Sequence, residues 1–263
     1  MTEIGKDALA RSVGNRFYAS WTSNDHRARR LVSEFIGTSG LTFVLSGGAA
    51  VLAKYGGAQL KTFEFAFILS AVSALWLVAA VYFLGDISAH FNPAMTFAFT
   101  LRGDMGWAMA CVYFAVQMVA AAIGSVVAAG LFGHGGNLAA TVPQPGQPWP
   151  AVACEAIFTF GMVLLVLSMA NGPKLNGSFV PLAVGAYVMA IGTMGGPFDG
   201  AAFNPARAFG PDVARRDFTE YWVYPLGSLL GAIGAVGVAR FLRGPAKAQE
   251  AQAAMGTPLD ADG

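Results

Sequence analysis

Two identical tripeptides, Asn92-Pro93-Ala94 and Asn204-Pro205-Ala206, hold the most informative chemistry in this 263-residue chain. Asn is a favoured N-cap residue and Pro fits the first helical position, so each tripeptide predicts the start of a helix. A helix N-terminus carries unsatisfied N–H donors and roughly half a positive charge. Two such ends brought together, with both Asn amides aimed into a passage, would repel any cation, a hydrated proton included. A neutral solute that accepts hydrogen bonds would meet no such barrier. Arg207 directly follows the second tripeptide and adds a fixed charge there. Met95 holds the equivalent place after the first, so the arginine is not a requirement of the repeat.

The tripeptides sit inside longer matching stretches, AHFNPAMTF at 89–97 and AAFNPARAF at 201–209, identical at six of nine positions. A helix needs about 20 mainly apolar residues to cross a bilayer, so each stretch predicts only a half-helix. Its buried end would strand backbone donors unless a polar group satisfies them. Two glutamates lie inside apolar runs, Glu34 in SEFIGT and Glu155 in CEAIFTF. Carboxylates within membrane segments read as functional. The role expected for both is support of the re-entrant loops by accepting backbone N–H groups. A proton relay is the competing role. His90 reads either as a packed core histidine or as a solute contact.

Membrane helices must position these groups. The chain is 55% hydrophobic and 12% charged, against about 25% charged in soluble domains. Six segments qualify as spans: 31–53, 63–85, 105–132, 151–170, 179–196 and 221–242. The order helix, helix, short segment, helix occurs twice, and three spans per half invert the second copy in the membrane. The expected fold class is an all-α membrane protein, with six transmembrane helices and two re-entrant half-helices in an inverted repeat. Repeat one covers 30–132 and repeat two 151–242, joined by an uncharged Gly- and Pro-rich segment at 133–150. Residues 1–29 are polar and lack the apolar core of a cleavable signal. The tail at 243–263 has the composition of a disordered segment. With the N-terminus inside, eleven Lys and Arg fall on the cytoplasmic side and five outside, the asymmetry expected of a multi-pass protein with both termini cytoplasmic.

A net charge of +1 argues against a nucleic-acid partner. Cys111 and Cys154 lie in apolar runs and read as small buried hydrophobes. No disulfide framework, metal-ligand spacing, cofactor motif or catalytic constellation is visible, so an enzyme is not expected.

The chain resembles the aquaporin and glycerol-facilitator family, the major intrinsic proteins. The likeness runs from about Arg30 to Leu242 and rests on SEFIGT, HFNPAMT, CEAIFTFG, FNPARAFGP and YPLGSLLGA. It implies a passive channel in the cell membrane and a homotetramer in which each protomer has its own pore. It implies that Asn92 and Asn204 are the paired pore asparagines, with Pro93, Ala94, Pro205 and Ala206 completing the motifs. Arg207 becomes the selectivity-filter arginine, Glu34 and Glu155 the loop supports, His90 the histidine before the first motif, and Gln117 a packing glutamine. The family's spacing adds Gly192 and Ala201 to the filter. The second-helix filter position is Ser73 or Val72, because only Ala89 separates Ser88 from His90 where the family has two residues. Asp199 replaces a small polar residue and either caps the loop or faces the outer vestibule.

These filter residues match neither the aromatic and histidine pair of water-selective relatives nor the two aromatics of glycerol facilitators. Small side chains imply a wider pore that admits urea, glycerol or neutral metalloid hydroxides as well as water. A water-selective channel, in which Phe203 fills the gap, is the alternative. A coupled secondary transporter and a closed junction protein are more distant readings.

Overall fold

In the computed structural model, residues 24–56, 61–170 and 179–245 are described. Residues 1–23, 57–60, 171–178 and 246–263 lie outside them, and so do the expectations made there. Among the described residues, six helices are long and apolar enough to cross a membrane. They are α1 (Asn24–Tyr55), α2 (Thr62–Leu84), α4 (Trp107–Phe132), α5 (Pro148–Ala170), α6 (Val180–Asp199) and α8 (Val223–Arg243). Two shorter helices, α3 (Pro93–Arg102) and α7 (Pro205–Arg215), follow α2 and α6. They have 10 and 11 residues and reach about 15 Å at 1.5 Å per residue, half of a hydrocarbon core about 30 Å thick. The all-α inverted repeat is the fold observed.

Close backbone approach builds the same pair in each half. In the first, α1 packs on α4, and a Cβ added at Gly124 would lie 2.1 Å from Ser39 O. In the second, α5 packs on α8, and a Cβ at Gly231 would lie 2.2 Å from Ala156 O. Helices in lipid gain little from burying apolar surface, so they associate through contacts of this kind, where a missing side chain lets backbones touch. The halves join through α2 and α6, one helix from each. Large apolar side chains such as Leu75, Ile157 and Leu230 point outward, as a lipid solvent allows.

Two sequence expectations need correction. The first helix begins at Asn24, ahead of the apolar run that starts at Leu31. Arg27, Arg29 and Arg30 are good helix formers, and backbone hydrogen bonding does not stop where the apolar run does. The fifth span runs past Gly196 to Asp199 despite Pro197, and stops at Gly200, a left-handed cap with φ 91°. The segment 133–150 does more than join the halves. It folds through a tight left-handed turn at Gly135–Ala139, with φ between 52° and 58° from Gly136 to Ala139. Ser46 Oγ donates to Leu138 O at 3.0 Å and ties this turn to α1.

Candidate functional site

The two glutamates hold the loops that precede the half-helices. Glu34 is fully buried. Its Oε1 accepts from His90 N at 2.8 Å and Ser88 Oγ at 2.7 Å, and its Oε2 from Phe91 N and Gln117 Nε2, both at 2.8 Å. Glu155, also fully buried, accepts from Ala202 N and Phe203 N, both at 2.6 Å. The acceptance of consecutive N–H groups has a backbone cause. Phe91 (φ 49°), Ala201 (φ 44°) and Phe203 (φ 34°) lie in the left-handed region, which turns neighbouring N–H groups to one side, where an anion can collect them. Such conformations cost of order 1–3 kcal/mol each and persist only where surroundings hold them.

Each Asn caps its own half-helix and braces the opposite loop. Asn92 Oδ1 accepts from Ala94 N at 2.8 Å, and Asn204 Oδ1 from Ala206 N at 3.0 Å. Across the centre, Asn92 Nδ2 donates to Phe203 O and Asn204 Nδ2 donates to Phe91 O, both at 2.8 Å. The reciprocal pair brings the N-termini of α3 and α7 together. Each amide has two N–H donors, so one braces the loop and the other remains for the passage.

One cavity of about 740 Å³ passes this crossing, and both asparagines line it. It touches Thr62, the first residue of α2, and Gly85 and Asp86, just past its last. A helix of 23 residues is about 34 Å long, so the cavity runs the thickness of a bilayer. Arg207, Gly192, Ala201, Ser73 and His90 all line it. Val72 does not; it turns to α1, where a Cβ at Gly48 would lie 3.8 Å from its Cγ1. Glu34 and Glu155 are outside the lining too. The His90 ring packs on Phe99 at 4.7 Å, and its Nδ1 lies 3.0 Å from Thr96 Oγ1. It is thus both a packed ring and a wall residue.

Two participants, Ser70 and Ala139, had no usable signal in the sequence, and a third, Asp199, had a signal that left its role open. Ser70 also lines the cavity, and a Cβ at Gly192 would lie 2.5 Å from its Oγ. Ala139 O, on the left-handed turn, accepts from Arg207 Nη1 at 2.8 Å and sets the direction of the guanidinium. Asp199 is fully buried and outside the cavity lining. Its Oδ1 accepts from Ala201 N at 2.8 Å, and its backbone O accepts from Tyr224 Oη at 2.8 Å. Of the two roles open to it, loop capping is the one with this geometry.

A test follows from the Asp199 geometry. Asp199→Ala strands the Ala201 N–H at a cost of about 1–3 kcal/mol and is expected to lower the melting temperature by roughly 2–10 °C for a chain of this size. Asp199→Asn keeps the acceptor and is expected to melt within about 2 °C of wild type. Equal destabilisation by both in a detergent-solubilised thermal scan would show that charge, not hydrogen bonding, is what position 199 supplies.

A membrane-spanning cavity that passes two half-helix N-termini and is lined by one arginine defines a channel. The comparisons agree. The sequence model of the major intrinsic protein family matches residues 20–238. Aquaporin NIP2-3 of Zea mays is 30% identical over 219 residues, covering 83% of this chain and 71% of the relative. Aquaporin NIP1-3 of Oryza sativa subsp. japonica is 32% identical over 232 residues, covering 84% and 78%. The solved aquaglyceroporin from Plasmodium falciparum shares the fold, with a TM-score of 0.66 at 22% identity over 82% of this chain and 96% of that one. This chain belongs to the major intrinsic protein family. It is a multi-pass membrane channel for water and small solutes, and not an enzyme. Among the described residues, no group of His, Cys, Asp or Glu could hold a metal ion.

Proposed function

We propose that the channel has a wide filter, formed by Ser73, Gly192, Ala201 and Arg207, that passes urea, glycerol and neutral metalloid hydroxides together with water and excludes ions and protons. The observation that carries this reading is the small size of the side chains that line the cavity together with Arg207. Gly192 puts no side chain into the cavity and Ala201 only a methyl group, so Arg207 is the one large group of the four. Proton exclusion is supported by the paired helix N-termini and by Arg207, all positive along one path. A coupled transporter would be expected to use its intramembrane carboxylates, whereas Glu34 and Glu155 lie off the path and are engaged by the loops. The family resemblance supports a homotetramer. The charge asymmetry of the loops supports insertion in the cell membrane with both termini in the cytoplasm.

Proteoliposomes provide the test. Wild type is expected to take up glycerol, urea and neutral arsenite, to shrink under an osmotic gradient, and to maintain a pH gradient as long as empty vesicles do. Uptake of water alone would instead favour the narrow pore, with the Phe203 ring, which lines the cavity, closing the gap. Rapid collapse of the pH gradient would remove the charge barrier. Gly192→His is expected to cut glycerol uptake at least tenfold while sparing water. Its Cβ must also displace Ser70 Oγ, so Gly192→Ala serves as the control for that displacement alone.

A further inference from the structure

We propose that Met95, Met162 and Met169 form an oxidation site inside the pore, where hydrogen peroxide, a neutral solute little larger than water, converts their thioethers to sulfoxides and slows the channel. The proposal rests on a passage for water and small solutes and not on the width of the filter.

The three thioethers face the path that solutes take. Among the described residues, Met95, Met162 and Met169 are the only sulfur-bearing side chains that line the cavity; Cys111 and Cys154 do not. Met95 is the third residue of α3, one turn past Asn92. Met162 and Met169 stand seven residues apart on α5, two turns, so they share one face of it. Both lie past the midpoint of α5, and α3 runs from the asparagine crossing toward the side where α2 and α5 end. All three sulfurs therefore belong to the half of the cavity that opens at Gly85 and Asp86. Val81, Val166, Val184 and Val188 share that stretch of wall and have no atom that a peroxide attacks.

Access separates these sulfurs from others equally hidden. Met95 and Met162 are each 5% exposed, and so is Met105, with Met109 at 3%. Met105 and Met109 pack in a separate cluster with Tyr113, away from the cavity. Burial would protect all four alike, but the passage brings solutes to Met95 and Met162. There the sulfur lone pair attacks one peroxide oxygen. The O–O bond breaks as the S–O bond forms, and the departing hydroxide takes the proton left on the transferred oxygen. Sulfur loses two electrons, the peroxide gains them, and the products are one sulfoxide and one water. The side chain changes from flexible and apolar to polar. Its new oxygen accepts hydrogen bonds from passing solutes in a stretch otherwise walled by valines, so each solute is held longer.

The first test is peptide mass spectrometry of proteoliposomes treated with dilute hydrogen peroxide. Met95 and Met162 are expected to gain oxygen at least about fivefold faster than Met105 and Met109. Equal rates at all four would overturn the proposal. The second is water permeability, each protein being compared with its own untreated flux. Wild type is expected to lose about two- to tenfold after peroxide, the residence that one hydrogen bond of ordinary net strength adds. The triple variant Met95→Leu, Met162→Leu, Met169→Leu is expected to lose none, because leucine replaces the volume and offers no sulfur. Oxidised wild type that conducts as before, or an equal loss in the variant, defeats the proposal. Should the triple variant fail to insert, Met95→Leu and Met162→Leu singly are expected to lose less than wild type, and losses equal to wild type in both count against it in the same way.

Discussion

Glu155→Ala is expected to abolish the folded channel. The carboxylate accepts Ala202 N and Phe203 N, both at 2.6 Å, in a fully buried position. Removing it strands two donors at about 1–3 kcal/mol each, a total of about 2–6 kcal/mol. Native proteins hold only about 5–15 kcal/mol in all. The loop would also lose the partner that keeps Phe203 at φ 34°, and with it the placement of Asn204. The expected result is little or no correctly inserted protein by size-exclusion chromatography, and no water flux from what remains. Glu155→Gln keeps one acceptor oxygen and should recover part of the yield, with flux that does not vary with pH. A stable, fully active alanine variant would end the anchoring role. An alanine variant that folds and loses only a pH-linked component of transport would restore the proton-relay reading.

Asn92→Asp is expected to produce the largest change in selectivity. The carboxylate can still cap α3, and a negative charge at a helix N-terminus gains about 0.3–1 kcal/mol. It cannot donate to Phe203 O, 2.8 Å from the present amide nitrogen. An oxygen there faces another oxygen, and a buried carbonyl loses its donor at about 1–3 kcal/mol. The fold is therefore weakened by about 1–2 kcal/mol net, within what a stable protein tolerates. The electrostatic effect is larger: a full negative charge now cancels the two half charges of the paired helix ends and removes that part of the barrier to cations. Liposomes carrying this variant should leak sodium and protons, while wild type holds both gradients. Asn204→Asp should behave alike, because its amide makes the mirror contact with Phe91 O at 2.8 Å. Tight gradients in a folded, water-conducting variant would mean that Arg207 alone sets the barrier.

Much of this architecture was readable one segment at a time. The spans follow from the solvent, since any helix crossing hydrocarbon must be long and apolar, and both properties are local. The half-helices were marked by Asn92-Pro93 and Asn204-Pro205, where capping and ring constraint act within one turn. Glu34 and Glu155 stood out because an acid inside an apolar run must have a partner, and an N–H of a re-entrant loop is the nearest unmet need. The start of α1 was misread for the same local reason: composition marks the edge of the lipid, not the end of the hydrogen bonds.

The sequence by itself thus determined the class of protein, the repeat and the groups bearing charge or capping capacity, because those depend on transfer into lipid and on contacts within a helical turn. Only the tertiary structure decided what each group faces. Val72 and Ser73 are adjacent on a helix that is apolar nearly all round, so no periodicity could tell which one meets the cavity; the packing of α2 against α1 and α6 turned Ser73 and Ser70 inward and Val72 away. Asp199 had two open roles until Ala201 N and Tyr224 Oη were found on it. The hold of Ala139 O on Arg207 spans 68 residues and uses a backbone atom, which every residue type possesses and no sequence pattern marks. Contacts between distant segments are set by how whole helices pack and how loops return over them, and that geometry has no signature within the few residues over which propensity acts.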